Sequence, residues 1–597
     1  MKSKILAIAA RVESWLGRYG AWALAGFALI YYGLYYNCDL PLTGEAGSNA
    51  LIAQRIREGW LPIKDMFVGY NLMWFYPLAG IFEITGPHLL ATRIFFLCLS
   101  TVTGLLGFLL VGRATGMAWL AALAGGLMVL MPGAIYRNYM GFLATLASFA
   151  LVRGYAVDAG TPRARCLWMG FAGAALSLCF SIRIEPSLLL AVVWAALLVL
   201  YPLGLRGEFA PRLKILLAGT VLALVCFVAV HAPLVVDSSR RGFGKEFLAQ
   251  YSQFVNLLRW ELSQEIEKAF PPKPAPASNS RTADLQVFPV SITKPVEPKA
   301  ESSRDGRQPR PDFEEIFRLR GVSYLNLAIY LPVLSAGVLA LSGAGMFFAG
   351  ATKGHVRQRR AGLVLLTTTG CSLVLFPQYF FFRPDSVHLA EFMVPFCAAL
   401  ACGLGFGLGF LRSRSVAARV AGALLAAVCV VQIIVAFNAL FGREGSGSIR
   451  SGRGKTALFE APGGISMRVR PADLGDWQSL RDALLRYSEP GDWVVTYPYV
   501  PVLNILSARP SYQRKLYVDN ATEHQNFPFL AIAEFDEKRP AVIVINNRDI
   551  NKTEFSRFKN WAAPFYQHIA KNYVLAGTYL KEIEVFVRPD RIPQNSP

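Results

Sequence analysis

The sequence predicts an α-helical polytopic membrane protein with about eleven transmembrane helices and a small α/β domain at its C-terminal end. Of its 597 residues, 54% are hydrophobic and only 17% are charged, whereas soluble chains carry about 25% charged residues. Apolar runs of roughly 20 residues, the length that crosses a bilayer, recur between residues 21 and 441. Residues 442–597 have the composition of a soluble domain, which we expect to be a separate unit.

The charges in the loops fix the expected topology. If the N-terminal segment, residues 1–20, lies in the cytoplasm or at its membrane surface, every loop on that side is basic, as the positive-inside rule requires. One span more or fewer would break this alternation, and an odd number places the C-terminal domain on the other side. The expected spans are residues 21–37, 89–111, 115–132, 138–155, 166–184, 187–204, 214–235, 325–350, 361–381, 388–411 and 417–441.

The segments on the non-cytoplasmic side are long. The first outer loop covers residues 37–88, and the second covers residues 237–324. Within the second, residues 271–311 are rich in proline, serine and charge, and they bury too little apolar surface to fold, so we predict a disordered linker. The flanks, residues 247–270 and 313–320, are expected to be amphipathic helices on the membrane surface.

The C-terminal domain carries mixed α/β signals. Residues 473–487 have a helical pattern, and residues 492–498 and 541–545 are short apolar runs typical of buried strands. Residues 573–587 alternate as in a β-hairpin. These elements predict a small extracytoplasmic α/β domain.

The net charge of +20 does not indicate nucleic-acid binding, because much of the excess lies in short loops between apolar runs, where it sets topology and attracts membrane lipids. The nine cysteines form no CxxC pair and no cluster with histidine. We therefore expect neither a disulfide framework nor a metal site.

Ionisable residues at the outer ends of the spans are the best indication of function, because charge inside a bilayer is costly. Each has a structural alternative: an Arg183–Glu185 ion pair could cap two helices, and Arg137 could extend to the lipid headgroups. The expected topology nevertheless places both signs of charge at one outer face, which favours one polar cavity. The four groups are Glu45 with Asp65, Arg137, Arg183 with Glu185, and Arg383 with Asp385 and His388.

These residue types suit group transfer from a lipid phosphate. A carboxylate, Glu45 or Asp65, can take the proton of an acceptor hydroxyl. The guanidinium groups of Arg137, Arg183 and Arg383 can hold a phosphate and stabilise the charge that leaves with it.

Residues 44–71 resemble the first outer loop of bacterial GT-C glycosyltransferases, the relatives of protein O-mannosyltransferases, aminoarabinose transferases and rhizobial galacturonosyltransferases. The stretch from Arg383 to Leu389 resembles an Arg-x-Asp-x-x-His-Leu element of one bacterial branch, and Arg183-Ile-Glu185 resembles its Arg-x-acid element. One departure matters: where the family often has Asp-Glu or Asp-x-Gly, this chain has Gly44-Glu45-Ala46-Gly47. Asp39 is therefore a second candidate for the base.

The resemblance implies an inverting glycosyltransferase of the bacterial inner membrane. It would move a sugar from a polyprenyl-phosphate donor to a glycan, lipid or protein acceptor of the envelope, with no cofactor and no metal. Glu45 would be the base and Asp65 would assist, while Glu185, Asp385 and His388 would support the phosphate-binding arginines. The C-terminal domain would be periplasmic.

Two other classes of protein remain open. A transporter or flippase of a lipid-linked glycan should have polar or broken helices at mid-membrane, and ionisable residues are nearly absent from the middle of the spans, which favours the enzyme. A scaffold whose outer domain does the work would not need a polar cavity at the membrane.

Overall fold

The protein is an α-helical polytopic protein with a small α/β domain at its C-terminal end, as the sequence predicts. The computed structural model describes residues 2–34, 36–38, 45–131, 138–156, 161–203, 209–249, 324–352, 355–382, 386–441, 454–518, 527–549 and 554–593. The predicted linker, residues 271–311, lies outside this part of the chain. So do its predicted helical flanks, apart from residues 247–249.

Thirteen α-helices precede the C-terminal domain in the described ranges, and eleven of them each coincide with one predicted span. The two others, α2 and α3, belong to the first outer loop. In chain order the helices are α1 (Lys2–Gly33), α2 (Glu45–Arg57), α3 (Tyr76–Thr85), α4 (Leu89–Thr115), α5 (Ala118–Leu130), α6 (Asn138–Leu151), α7 (Pro162–Ile182), α8 (Ile184–Leu203), α9 (Phe209–Arg240), α10 (Tyr324–Thr352), α11 (Val356–Leu373), α12 (Ser386–Phe410) and α13 (Val416–Phe441).

Six of these helices are long and apolar enough to cross a membrane on length and composition alone: α4, α7, α9, α10, α12 and α13. The helix α12 is the most buried of the six and packs against α4, α5, α6, α11 and α13. The helix α12 therefore lies among other helices rather than at the surface of the helical bundle.

The helix α2, in the first outer loop, begins at Glu45. An acidic residue in the first turn is favoured there, because the unpaired N–H groups give a helix a positive N-terminal end. Glu45 is thus the first residue of a helix rather than part of the loop before it.

The C-terminal domain contains the predicted strands and helix around a four-stranded mixed sheet. The strand order is β3-β4-β6-β5, with β3 parallel to β4 and the other pairs antiparallel. The hairpin β1–β2 and the shorter helices were not predicted from the sequence. The elements are β1 (Ala457–Ala461), β2 (Ile465–Val469), α14 (Pro471–Arg486), β3 (Val494–Tyr497), α15 (Val502–Ser507), α16 (Phe527–Lys538), β4 (Val542–Asn546), α17 (Phe558–Trp561), α18 (Ala563–Asn572), β5 (Val574–Tyr579) and β6 (Ile583–Val587).

The C-terminal domain packs directly on the first outer loop. The helix α2 contacts α15, and the approach is so close that a Cβ added at Gly47 would lie 2.8 Å from the Val502 backbone nitrogen. The Phe67 N–H donates to the Arg514 carbonyl at 2.7 Å. Ser48 and Tyr499 bring their hydroxyls to 3.5 Å of each other. The first outer loop therefore packs against this domain as well as against the membrane helices.

A buried arginine holds this contact. Arg55, on α2, is 2% exposed and donates to the carbonyls of Ser511 at 2.6 Å and Gln513 at 2.7 Å. Its guanidinium also lies over the ring of Trp60, 4.7 Å from the centroid. Burial lowers the pKa of Arg55 to about 10, which leaves the group charged at neutral pH.

Replacing Arg55 with Met should loosen the C-terminal domain from the first outer loop. Each buried carbonyl that loses its donor costs about 1–3 kcal/mol, so we expect lower thermal stability in detergent and faster proteolysis at the contact. Arg57→Met on the same helix is the matched control, because Arg57 is exposed and its pair with Glu83, at 3.8 Å, contributes little. Equal thermal stability of the two variants would show that Arg55 does not hold the C-terminal domain on the first outer loop.

Candidate active site

The first outer loop is anchored to the C-terminal end of α7 by a proline-induced break. Pro186, in the first turn of α8, has no N–H, so it cannot bond to the carbonyl four residues earlier. That carbonyl, of Ile182, accepts instead from the Asn71 backbone N–H at 3.0 Å. The Asn71 side chain donates to the Phe180 carbonyl, also at 3.0 Å. The break therefore gives the loop a fixed docking point.

Arg183 lies at this break. Its backbone is extended, and its N–H donates to the Cys179 carbonyl at 2.7 Å to close α7. Its side chain, 10% exposed, is ion-paired with Glu185 in the first turn of α8. The guanidinium also lies over the ring of Tyr70, 5.8 Å from the centroid.

A third ionisable residue joins this pair from α12. Glu391 is 4% exposed and interacts electrostatically with Arg183. We call Tyr70, Arg183, Glu185 and Glu391 the outer polar cluster. Glu391 was not among the site residues predicted from the sequence, although a carboxylate one turn inside an expected span is a signal that could have found it.

His388 is one turn before Glu391 on α12 and is 3% exposed. Residues three apart share a helix face, so His388 occupies the same face as a member of the outer polar cluster. The helices α6 and α12 also approach closely near Glu391. A Cβ added at Gly141 of α6 would lie 3.2 Å from the Val394 Cγ1 of α12. The start of α6 therefore borders the cluster.

Aromatic side chains line the same region. The rings of Tyr70 and Trp74 are stacked with centroids 3.9 Å apart. Trp74 is in turn 5.5 Å from Tyr139, the second residue of α6. Such a wall excludes water, and electrostatic interactions are stronger where water is excluded.

Asp65 has a local partner in the first outer loop. Its Oδ2 accepts from the Leu61 N–H at 2.8 Å, and its own N–H donates to the Leu61 carbonyl at 2.9 Å. The carboxylate thus holds the turn between residues 61 and 65. Its catalytic role stays a prediction.

The other predicted site residues are only partly visible. Glu45 is placed as the first residue of α2, but only its backbone is described. Arg137, Arg383 and Asp385 lie outside the described residues, as does Asp39. Of the predicted set, the structure brings Arg183 and Glu185 together and places His388 on the helix face that also carries Glu391.

Comparisons with known proteins give no sequence family. No protein-family model matches the chain, and no curated protein matches it. Among solved structures, the chain is similar to ArnT from Cupriavidus metallidurans in the apo state, with 12% identity, a TM-score of 0.45, and 94% of this chain and 97% of that chain covered. It is also similar to ArnT from the same organism bound to undecaprenyl phosphate, with 13% identity, a TM-score of 0.45, and 97% and 99% covered.

Proposed function

We propose that this protein is an inverting membrane glycosyltransferase that uses a polyprenyl-phosphate sugar and acts on the non-cytoplasmic side. The observation that carries the proposal is the outer polar cluster, in which a buried guanidinium, Arg183, is ion-paired with Glu185 and also interacts electrostatically with Glu391. A positioned cation suits a phosphate leaving group, and water-excluding walls raise its effect. The resemblance of the first outer loop to GT-C enzymes agrees with this chemistry.

In the proposed reaction the oxygen of an acceptor hydroxyl attacks the anomeric carbon of the sugar. The bond from that carbon to the phosphate oxygen breaks on the opposite face, which inverts the configuration. Polyprenyl phosphate leaves with the bonding electron pair, and Glu45 takes the proton of the hydroxyl. Arg183 stabilises the phosphate charge as it develops.

The net charge of the outer polar cluster indicates that phosphate binding needs further cationic side chains. Arg183 faces two carboxylates, so a bound phosphate would leave the four residues of the outer polar cluster with an excess of negative charge. Arg137 is the residue directly before α6, two positions from Tyr139, and Arg383 is five positions before His388. This closeness in sequence to residues of the candidate site supports both arginines as the additional phosphate-binding groups. Asp385 and His388 would orient Arg383.

The proposal is tested by comparing envelope glycans, by mass spectrometry, in a strain with and without the gene. We expect one sugar to be missing from one class of envelope molecule, and a plasmid copy of the gene to restore it. A deletion strain with unchanged envelope glycans would contradict the transferase. Loss of a whole glycan, with its lipid-linked form accumulating in the cytoplasmic leaflet, would instead support a flippase.

A further inference from the structure

Two buried hydrogen-bond donors of the candidate active site have no acceptor within the described part of the chain. They are the Nε1–H of Trp74 and the hydroxyl of Tyr139. Trp74 is 1% exposed and Tyr139 is 5% exposed, so solvent does not satisfy them. Because buried donors are almost always paired in folded proteins, an unpaired donor needs a specific explanation.

The position of these two donors is what distinguishes them. Unpaired buried donors also occur elsewhere in the described residues, for example at Tyr379 in the helical region and at Tyr512 and Trp561 in the C-terminal domain. Trp74 and Tyr139, in contrast, are in ring contact with each other at 5.5 Å, and Trp74 stacks on Tyr70.

The ring of Tyr70 is in turn the one that the Arg183 guanidinium covers. The two unpaired donors and the cation of Arg183 are therefore linked by ring contacts through Tyr70. The same cluster contains the carboxylates of Glu185 and Glu391, so the donors suit the acceptor oxygens of a ligand whose negative charge also needs the additional arginines proposed above.

We propose that Trp74 and Tyr139 donate hydrogen bonds to the phosphate oxygens of the polyprenyl-phosphate substrate, next to the charge supplied by Arg183. This inference rests on the proposed function, because that function supplies the phosphate. The indole N–H and the phenol add direction without adding charge. A phosphate enclosed by these groups would be held away from water, where each hydrogen bond is stronger.

The test uses two variants that remove one donor each and keep an aromatic ring: Tyr139→Phe and Trp74→Phe. Binding of a polyprenyl monophosphate to the purified full-length protein is compared with binding of the corresponding polyprenol, which lacks the phosphate. Since hydrogen bonds to charged groups are among the stronger ones, each variant should weaken phosphate binding by roughly ten- to hundredfold. Polyprenol binding should not change.

Matched controls separate this role from packing. Tyr512→Phe and Trp561→Phe remove the same donors from equally unpaired positions of the C-terminal domain, and they should leave phosphate binding unchanged. Without ligand, Tyr139→Phe should melt at the wild-type temperature or above, because it removes a buried hydroxyl that has no partner.

Several outcomes would overturn the inference. They are wild-type affinity in both site variants, equal loss in the controls, equal loss of polyprenol binding, or no phosphate binding by the wild-type protein. The envelope analysis decides the proposed function independently. Phosphate binding that weakens when Trp74 or Tyr139 loses its N–H or O–H, without any sugar transfer, would support this subsite and reject the transferase. Sugar transfer together with wild-type phosphate binding by Tyr139→Phe would support the transferase and reject the subsite.

Discussion

Glu45→Gln is expected to lower sugar transfer by about 10²–10⁴-fold, the contribution of a general base, while donor binding is retained. The amide keeps the size and hydrogen bonding of the carboxylate but cannot accept the proton. Glu45 is the first residue of α2, and Ser48, one turn later, faces the Tyr499 hydroxyl. The base would thus lie where α2 contacts the C-terminal domain, and an acceptor from outside the membrane could reach it there. Transfer is measured with purified protein and the donor found by the envelope analysis.

The neighbouring acids are the controls for this prediction. Asp65→Asn should lose less activity, because an amide oxygen can still accept the Leu61 N–H that fixes the turn. If Glu45→Gln stays active while Asp39→Asn is inactive, Asp39 is the base. An inactive Asp65→Asn, with the other two active, would assign the base to Asp65. Activity in all three variants would reject the transferase and favour transport.

Local patterns predicted the fold well. The eleven apolar runs each coincide with a helix, and the apolar runs at residues 492–498 and 541–545 became the parallel pair β3 and β4. The break at Arg183 could also be predicted, because Pro186 and the charged residues beside it interrupt an apolar stretch. These features depend on neighbours in sequence, which a single chain displays directly.

Contacts between distant parts of the chain could not be predicted. Arg55 bonds to a carbonyl 458 residues away, so nothing near it in sequence shows that it is buried. Glu391 is visible in the sequence as a carboxylate inside an expected span, but its interaction with Arg183 is not. The unpaired donors of Trp74 and Tyr139 have no sequence signal at all, because only the surroundings show that they lack acceptors.

Arg183→Lys is expected to lower donor use by about 10²-fold, the loss typical of removing one group that stabilises developing charge. Lysine keeps the positive charge but not the planar fork that binds two phosphate oxygens and lies over an aromatic ring. The same substitution at Arg383 should also weaken donor use strongly, with fold and expression intact. For both variants the KM for the polyprenyl-phosphate sugar and the kcat are measured.

The competing explanation is that Arg183 only caps two helices through its ion pair with Glu185. In that case Lys, which can still form the pair, should keep near-normal activity, and Glu185→Gln should destabilise the protein as much as Arg183→Met. If Arg183 binds phosphate, Arg183→Lys should lose activity at unchanged thermal stability. Glu185→Gln should then lose less activity than Arg183→Lys, because the guanidinium remains and only its orientation weakens. The ratio of these two activities therefore separates a phosphate-binding residue from a structural one, since Glu185→Gln removes the charge partner and keeps the fork, whereas Arg183→Lys keeps the pair and removes the fork.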